Sequence, residues 1–252
     1  MLNVPFVRKE LREFVKTPKL LIVLCIFAFF AILSPLTARY MNELLAALAT
    51  DVQIALPDPT FKDAWIQLYK NTTSLCLIVY LIMMTGTVAQ EKNKGSILLV
   101  LTKKVSRFQF LFGKWIAGAL LWTAGWAVTL LIGGLYTQIL FHEVFYEGLL
   151  LSSVLMWLMG LFYTSFAILA SVGSKTPTIA ALLGFAGYAF FNLLNISETL
   201  TKFNPSGAAS LVNGILYGTI SASVSTTCLV STLIGLAMVF LLSYVIFKRQ
   251  EI

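Results

Sequence analysis

Charge is the first thing this sequence lacks. Only 12% of its 252 residues are Asp, Glu, Lys or Arg, against about a quarter in an average soluble domain, so a water-facing surface cannot be built from it. Histidine is nearly absent. With His142 alone, no zinc protease can assemble its second histidine ligand at helical spacing, and no Ser-His-Asp or Cys-His pairing avoids that one residue. The adjacent His142 and Glu143 read as interfacial polar residues. The three cysteines, Cys25, Cys76 and Cys228, share no short spacing and form neither a disulfide framework nor a zinc set.

What the chain has in excess is apolar sequence: 58% hydrophobic residues and a mean hydropathy of +0.86. Continuous runs such as Leu20 to Leu36 are long enough to cross roughly 30 Å of hydrocarbon as helices. They lack the alternating polarity of a membrane barrel. Six spans are expected, at Leu20–Leu36, Thr72–Ala89, Trp115–Phe141, Leu149–Val172, Thr178–Leu194 and Val224–Phe247. The fold class is therefore all-α, a polytopic membrane protein with about six transmembrane helices. It reads as one transmembrane domain over residues 1–252, with no internal repeat.

Ahead of the first span, Val4, Val7, Leu11 and Phe14 recur at three- and four-residue steps. Arg8, Lys9, Glu10, Arg12, Glu13 and Lys16 fill the other face, so residues 1–18 read as an amphipathic interface helix. Pro18 disfavours continued helix at Thr17 and predicts a bend there. The charged start and the lack of a small-x-small site point to a retained anchor rather than a cleaved signal peptide.

Basic residues set the orientation. With the amino terminus inside, Arg8, Lys9, Arg12, Lys16, Lys19, Lys92, Lys94, Lys103, Lys104, Arg107, Lys114, Lys175, Lys248 and Arg249 are all inside. Only Arg39, Lys62, Lys70 and Lys202 are outside, so both termini are expected in the cytoplasm. The net charge of +7 then reflects topology and attraction to anionic lipid rather than nucleic-acid binding. Residues 37–71 and 195–223 become extracytoplasmic segments. In the first, Asp58 followed by Pro59 predicts a helix start. The second reads as a re-entrant or interfacial helix, because a seventh crossing would put the basic carboxyl end outside.

Energy for transport has no obvious source within the chain. In Gly173, Ser174, Lys175 and Thr176 a serine separates the glycine from the lysine and the earlier glycine of a phosphate loop is absent, so the segment reads as a helix-ending turn. The central parts of the spans lack the ionisable residues of a proton or sodium relay. Ala180 and Gly184 have the small-xxx-small spacing that permits close helix approach. Trp115, Trp122, Trp126 and Trp157 fit either interfacial anchors and packing or the lining of an amphiphile path.

The one substantial inner loop, Gln90 to Lys114, is built differently. Lys92, Lys94, Lys103, Lys104 and Arg107 bracket five consecutive apolar residues, Ile97 to Leu101, which must bury against the membrane or a partner protein. Ser106 and Gln109 have the spacing of a capping box for the next helix.

Glu91, Gly95, Ser96, Leu98, Leu99, Leu101, Thr102, Val105, Ser106, Arg107, Phe110, Leu111, Gly113 and Lys114 together resemble the loop of the type-2 ATP-binding-cassette exporter permeases. That family reads Glu, three residues, Gly-Thr, a leucine-rich turn, Ser or Thr, x, Pro, Val-Ser-Arg and then Gly-Lys. Here Ser96 replaces the usual Thr and Lys104 the usual Pro. The amphipathic start, six spans and re-entrant segment extend the resemblance along the whole chain. It implies a permease dimer of identical or different chains in a bacterial plasma membrane, exporting an amphiphilic cargo such as a drug, peptide or lipid. ATP and magnesium would be held by a separate ATPase subunit, leaving no cofactor, metal or catalytic residue in this chain. The implied docking residues are Glu91, Gly95, Ser96, Ile97, Leu98, Leu99, Leu101, Thr102 and Arg107, with Arg8, Lys9 and Arg12 as secondary contacts. The competing reading is a non-transport immunity or sensory subunit that binds a peptide on its outer loop.

Overall fold

A computed structural model describes residues 4–48, 57–102 and 105–250. Lys103 and Lys104 lie outside the described residues, as do the side chains of Leu99 and Leu101. The described residues are helical with no strand, and six helices are long and apolar enough to cross a membrane.

The first helix, α1 (Val4–Lys16), ends at the expected break, and α2 (Lys19–Arg39) begins directly after Pro18. A short α3 (Met41–Leu48) follows. The next helix starts neither at Asp58 nor at Thr72. Thr60 caps α4 (Phe61–Asn71) in a capping box with Asp63, whose carboxylate accepts from the Thr60 backbone N–H at 2.8 Å. A carboxylate three residues inside the helix can close that reciprocal pair, which Asp58 cannot.

From α4 the chain runs without a break through a π-turn at Thr72–Cys76 into α5 (Leu77–Asn93). The widening has a local cause. Thr72, Thr73 and Ser74 each turn a hydroxyl back onto the carbonyl four residues earlier, competing for the helix's own acceptors.

After a six-residue helix α6 (Ser96–Leu101), α7 (Arg107–Phe141) begins eight residues before the expected span and is 35 residues long. Its start carries the expected capping box of Ser106 and Gln109. At about 1.5 Å per residue it is some 50 Å long and exceeds the hydrocarbon thickness, so its first turns, with Lys114, belong to a helix rather than to a loop. His142 terminates it in the left-handed conformation with φ of 59°.

Three helices pack closely on α7 at its glycines. Phe6 of α1, Phe27 of α2 and Leu68 of α4 lie where side chains at Gly113, Gly125 and Gly133 would stand. The facing helix, α8 (Leu149–Gly173), is fastened by tryptophan N–H groups. Trp115 donates to Ser165 Oγ at 2.8 Å, Trp122 to the Trp157 carbonyl at 3.1 Å, Trp126 to the Ser153 carbonyl at 3.2 Å and Trp157 to Thr123 Oγ1 at 3.0 Å. These four residues are thus a staple between two helices, each indole N–H satisfied where no water would compete.

Thr176 caps α9 (Pro177–Leu193), with Pro177 in its first turn. Ala180 and Gly184 are buried, and Gly184 faces Thr85 of α5. This small pair therefore serves a contact within the chain. Residues beyond α9 form α10 (Glu198–Thr201) and α11 (Ala208–Leu216), pieces too short to cross, before the last span α12 (Ala222–Arg249). Leu182 and Phe185 of α9, with Met238 and Leu241 of α12, remain exposed on the outside of the bundle.

Candidate functional site

The connection between α5 and α7 lies at one end of the bundle, together with α1, the α8–α9 turn and the last residues of α12. This is the basic end. Gly95 takes φ of 66°, a left-handed conformation that only glycine adopts without cost, and it turns the chain from α5 into α6. The apolar run then divides. Ile97 is 1% exposed and packs in a cluster with Phe6, Val88, Phe110, Ile168 and Phe247. Leu98 is 49% exposed and projects outward. The chain's own core thus takes Ile97, an outcome that neither a membrane nor a partner explains.

Glu91 and Lys114, the two ends of the loop motif, are bonded to each other. Lys114 is 2% exposed, and its ammonium donates to Glu91 Oε1 and to Glu10 Oε2, both at 2.9 Å. Lys9 joins from outside, 2.8 Å from Glu10 Oε1, 3.2 Å from Glu91 Oε1 and 3.4 Å from Glu13 Oε2. Helices α1, α5 and α7 are therefore tied at one buried clasp.

Burial opposes ionisation of Glu10, but the charge of Lys114 and the bonds and charge of Lys9 outweigh it and hold the carboxyl below the usual range. Burial likewise opposes the Lys9 ammonium, and the bonds and charges of Glu10 and Glu91 override it, raising its pKa. Carboxylate oxygens of Glu10, Glu13 and Glu91 fall within 4.8 Å of one another. The two ammonium groups already sit against them and supply the opposing charge.

Placement of the expected docking residues is mixed. Glu10, assigned by periodicity to the polar face of α1, is buried at 3% exposure, while Val4, assigned to the apolar face, is 62% exposed. Phe6 takes the inward position instead. Glu91 faces the clasp rather than open solvent, and its Oε2 has no hydrogen-bond partner among the described residues.

Lys9 is drawn toward Glu10 and Glu91, whereas Arg8 and Arg12 stay exposed. Gly95, Leu98 and Thr102 are exposed and Ser96 is half-buried, its hydroxyl 3.4 Å from the Glu91 carbonyl. Arg107 is spent on the end of the last helix, where Nη1 donates to the carbonyls of Phe247, Lys248 and Gln250 at 2.9, 2.7 and 2.8 Å.

Lys92, next to Glu91, makes a second tie. Its ammonium donates to the Val172 carbonyl at 2.8 Å and to Gln250 Oε1 at 3.0 Å. A cleft of about 510 Å³ opens beside α6, with Lys92, Gly95, Leu98, Lys175 and Gln250 among its walls. Sequence reasoning missed Glu10 and Lys114 as a pair. The signal available was an acid on an interface helix and a lysine following Gly113, which becomes a pair only once α1 packs on α7.

The profile of the ABC-2 family transporter proteins matches residues 4–252. Among curated proteins, the chain is similar to the uncharacterized transmembrane protein YxlG of Bacillus subtilis (strain 168), with 23% identity over 206 residues, covering 80% of this chain and 77% of that protein.

Proposed function

The chain belongs to the ABC-2 transporter family, a membrane permease of an ABC system, and from this we propose that it is the transmembrane subunit of an exporter moving an amphiphilic cargo outward. ATP hydrolysis falls to a separate ATPase subunit, the general arrangement of the family. ATP and magnesium are held there, and this chain contributes no catalytic residue. The basic end faces the cytoplasm, as the distribution of lysine and arginine requires. A second permease chain completes the dimer, and the plasma membrane of a bacterium is the setting.

The observation that carries this reading is the family match over 4–252, which includes a short helix offering an exposed leucine at the basic end. Leu98 enters an apolar socket on the ATPase, while Ile97 anchors α6 to the permease. Closure of the ATPase pair then moves α6, and with it the roots of α5 and α7. The test is co-expression with the ATPase encoded beside this gene, followed by purification through a tag on the ATPase. The wild-type chain is expected to co-purify and Leu98→Asp to be lost from the complex. A Leu98→Asp chain that co-purifies like wild type removes α6 from the docking role. Activity that survives inactivation of the ATPase turns the reading toward the peptide-binding alternative.

A further inference from the structure

The cleft beside α6 has walls of one sign. Lys92 and Lys175 line it together with the amide of Gln250, and no carboxylate does among the described residues. Glu91, next to Lys92 in the chain, is committed to Lys9 and Lys114. Lys92 is held in place without being neutralised. Two of the three donors of its ammonium go to neutral acceptors, the Val172 carbonyl and Gln250 Oε1, which leaves one for a ligand. Gln250 is fixed in turn, its amide donating to the same Val172 carbonyl at 3.0 Å. The volume of about 510 Å³ lies within the range of small-molecule sites, about 300–1,000 Å³.

Depth identifies the kind of anion. The walls come from the ends of four helices that belong to spans: α5 ends at Asn93, α8 at Gly173 and α12 at Arg249, and α9 begins at Pro177. In a bilayer such ends stand at the level of the lipid headgroups, where basic pockets between helices take anionic heads. Apolar surface follows directly toward the hydrocarbon. Ile179, about one turn into α9 beyond Lys175, and Val245, a little over one turn back along α12 from Gln250, are both exposed. A soluble phosphate would engage the lysines alone, whereas a lipid phosphate engages them and leaves its acyl chains to cover Ile179 and Val245.

We propose that this cleft is a binding site for an anionic phospholipid from the leaflet at the basic end, its phosphate held between Lys92 and Lys175. Phosphatidylglycerol has the required charge; a zwitterionic lipid brings an ammonium that the two lysines repel. The seated headgroup ties the end of α5 to the turn between α8 and α9, adding to the bond from Lys92 to Val172. The ATPase has no part in this contact, so the test is made without it.

The permease is purified alone in a non-ionic detergent and titrated with phosphatidylglycerol or phosphatidylcholine of the same acyl chains, and native mass spectrometry counts the lipid retained. Wild type is expected to bind phosphatidylglycerol about tenfold more tightly, with salt narrowing the difference. Lys175→Gln alters one exposed side chain. Gly173→Leu fills the cleft without removing charge, at a position where an added Cβ meets nothing within 4 Å. Each is expected to reduce phosphatidylglycerol to the level of phosphatidylcholine. The double variant R8Q/K16Q takes two exposed charges from α1 and is expected to bind as wild type does.

Wild-type affinity for phosphatidylglycerol in either cleft variant overturns the proposal. So does an equal loss in R8Q/K16Q, which would spread the attraction over the whole basic end, and so does equal retention of phosphatidylcholine, which would make it apolar. Displacement of the lipid by glycerol 3-phosphate at matching concentration would assign the cleft to a soluble phosphate instead.

Discussion

At the basic end, α1, α5 and α7 meet through charge: Lys114 lies between Glu10 and Glu91, Lys9 bridges the same carboxylates, and Arg107 gathers the carbonyls at the end of α12. At the opposite end no ion pair occurs among the described residues, and rings and amides do the joining. Trp65 stacks on Tyr69 at 5.6 Å and donates to the Val144 carbonyl at 2.9 Å, and the hydroxyls of Tyr69 and Tyr146 meet at 2.9 Å. Asn204 ties down the segment between α9 and α12, its amide donating to the Phe191 carbonyl and to Asn195 Oδ1 while its oxygen accepts from the Ser206 N–H.

The difference is one of mechanics. Ring stacks and neutral hydrogen bonds are individually modest and tolerate small adjustments. A buried ion cluster is held together by the high cost of opening it, so the helices it joins move together or not at all. The end with the clasp suits transmission of a displacement, and the other suits closure of the bundle.

The sharpest way to break this contrast is Lys114→Met, which takes the buried cation from between Glu10 and Glu91 and leaves them only the exposed Lys9. It is expected to cost about 3–5 kcal/mol, read as a lowered unfolding midpoint in detergent. An effect no larger than that of an opposite-end substitution would show that the two ends are held alike. Midway along the bundle, Gly160→Ala drives a methyl group into the Trp122 indole, against which Gly160 packs. About 1–3 kcal/mol should be lost to overpacking, and fluorescence should report a displaced tryptophan.

At the opposite end, Asn204→Ala removes three hydrogen bonds, yet about 1–2 kcal/mol is expected because the amide partners are neutral. Limited proteolysis between residues 195 and 221 should rise, while the basic end keeps its wild-type protection.

Acid gives the mildest perturbation. The folded pKa of Glu10 is depressed, so its stabilisation is complete above the unfolded glutamate value of about 4.3 and is lost as pH falls through the lower folded value. The unfolding midpoint should therefore hold between neutrality and about pH 5 and drop below about pH 4, and Glu10→Gln should flatten that drop.

Much of the fold was legible because its causes are local. The break at Thr17 and Pro18, the Ser106–Gln109 capping box and the six apolar runs each depend on neighbours within a turn or two, or on composition over one span. Most errors arose where a distant residue decided the outcome. Glu10 pointed outward by periodicity because nothing within α1 shows that Lys114 is buried beside it. One miss was local: the start of α4 moved from Asp58 to Thr60 because a carboxylate three residues on, at Asp63, completes the cap. Ala180 and Gly184 have the spacing of a close helix approach, and which helix approaches was settled only by Thr85 of α5, which packs on Gly184.

Insertion in a membrane, the number of spans and the motif of the inner loop follow from the sequence by itself, because hydrocarbon thickness and backbone hydrogen bonding act on each segment separately. Only the tertiary structure decided which face of α1 turns inward, that Glu91 and Lys114 close the loop on a buried clasp, and that Ile97 is core while Leu98 is surface. Those outcomes depend on pairing charges and filling space between helices far apart in the chain, and no window of sequence contains both partners.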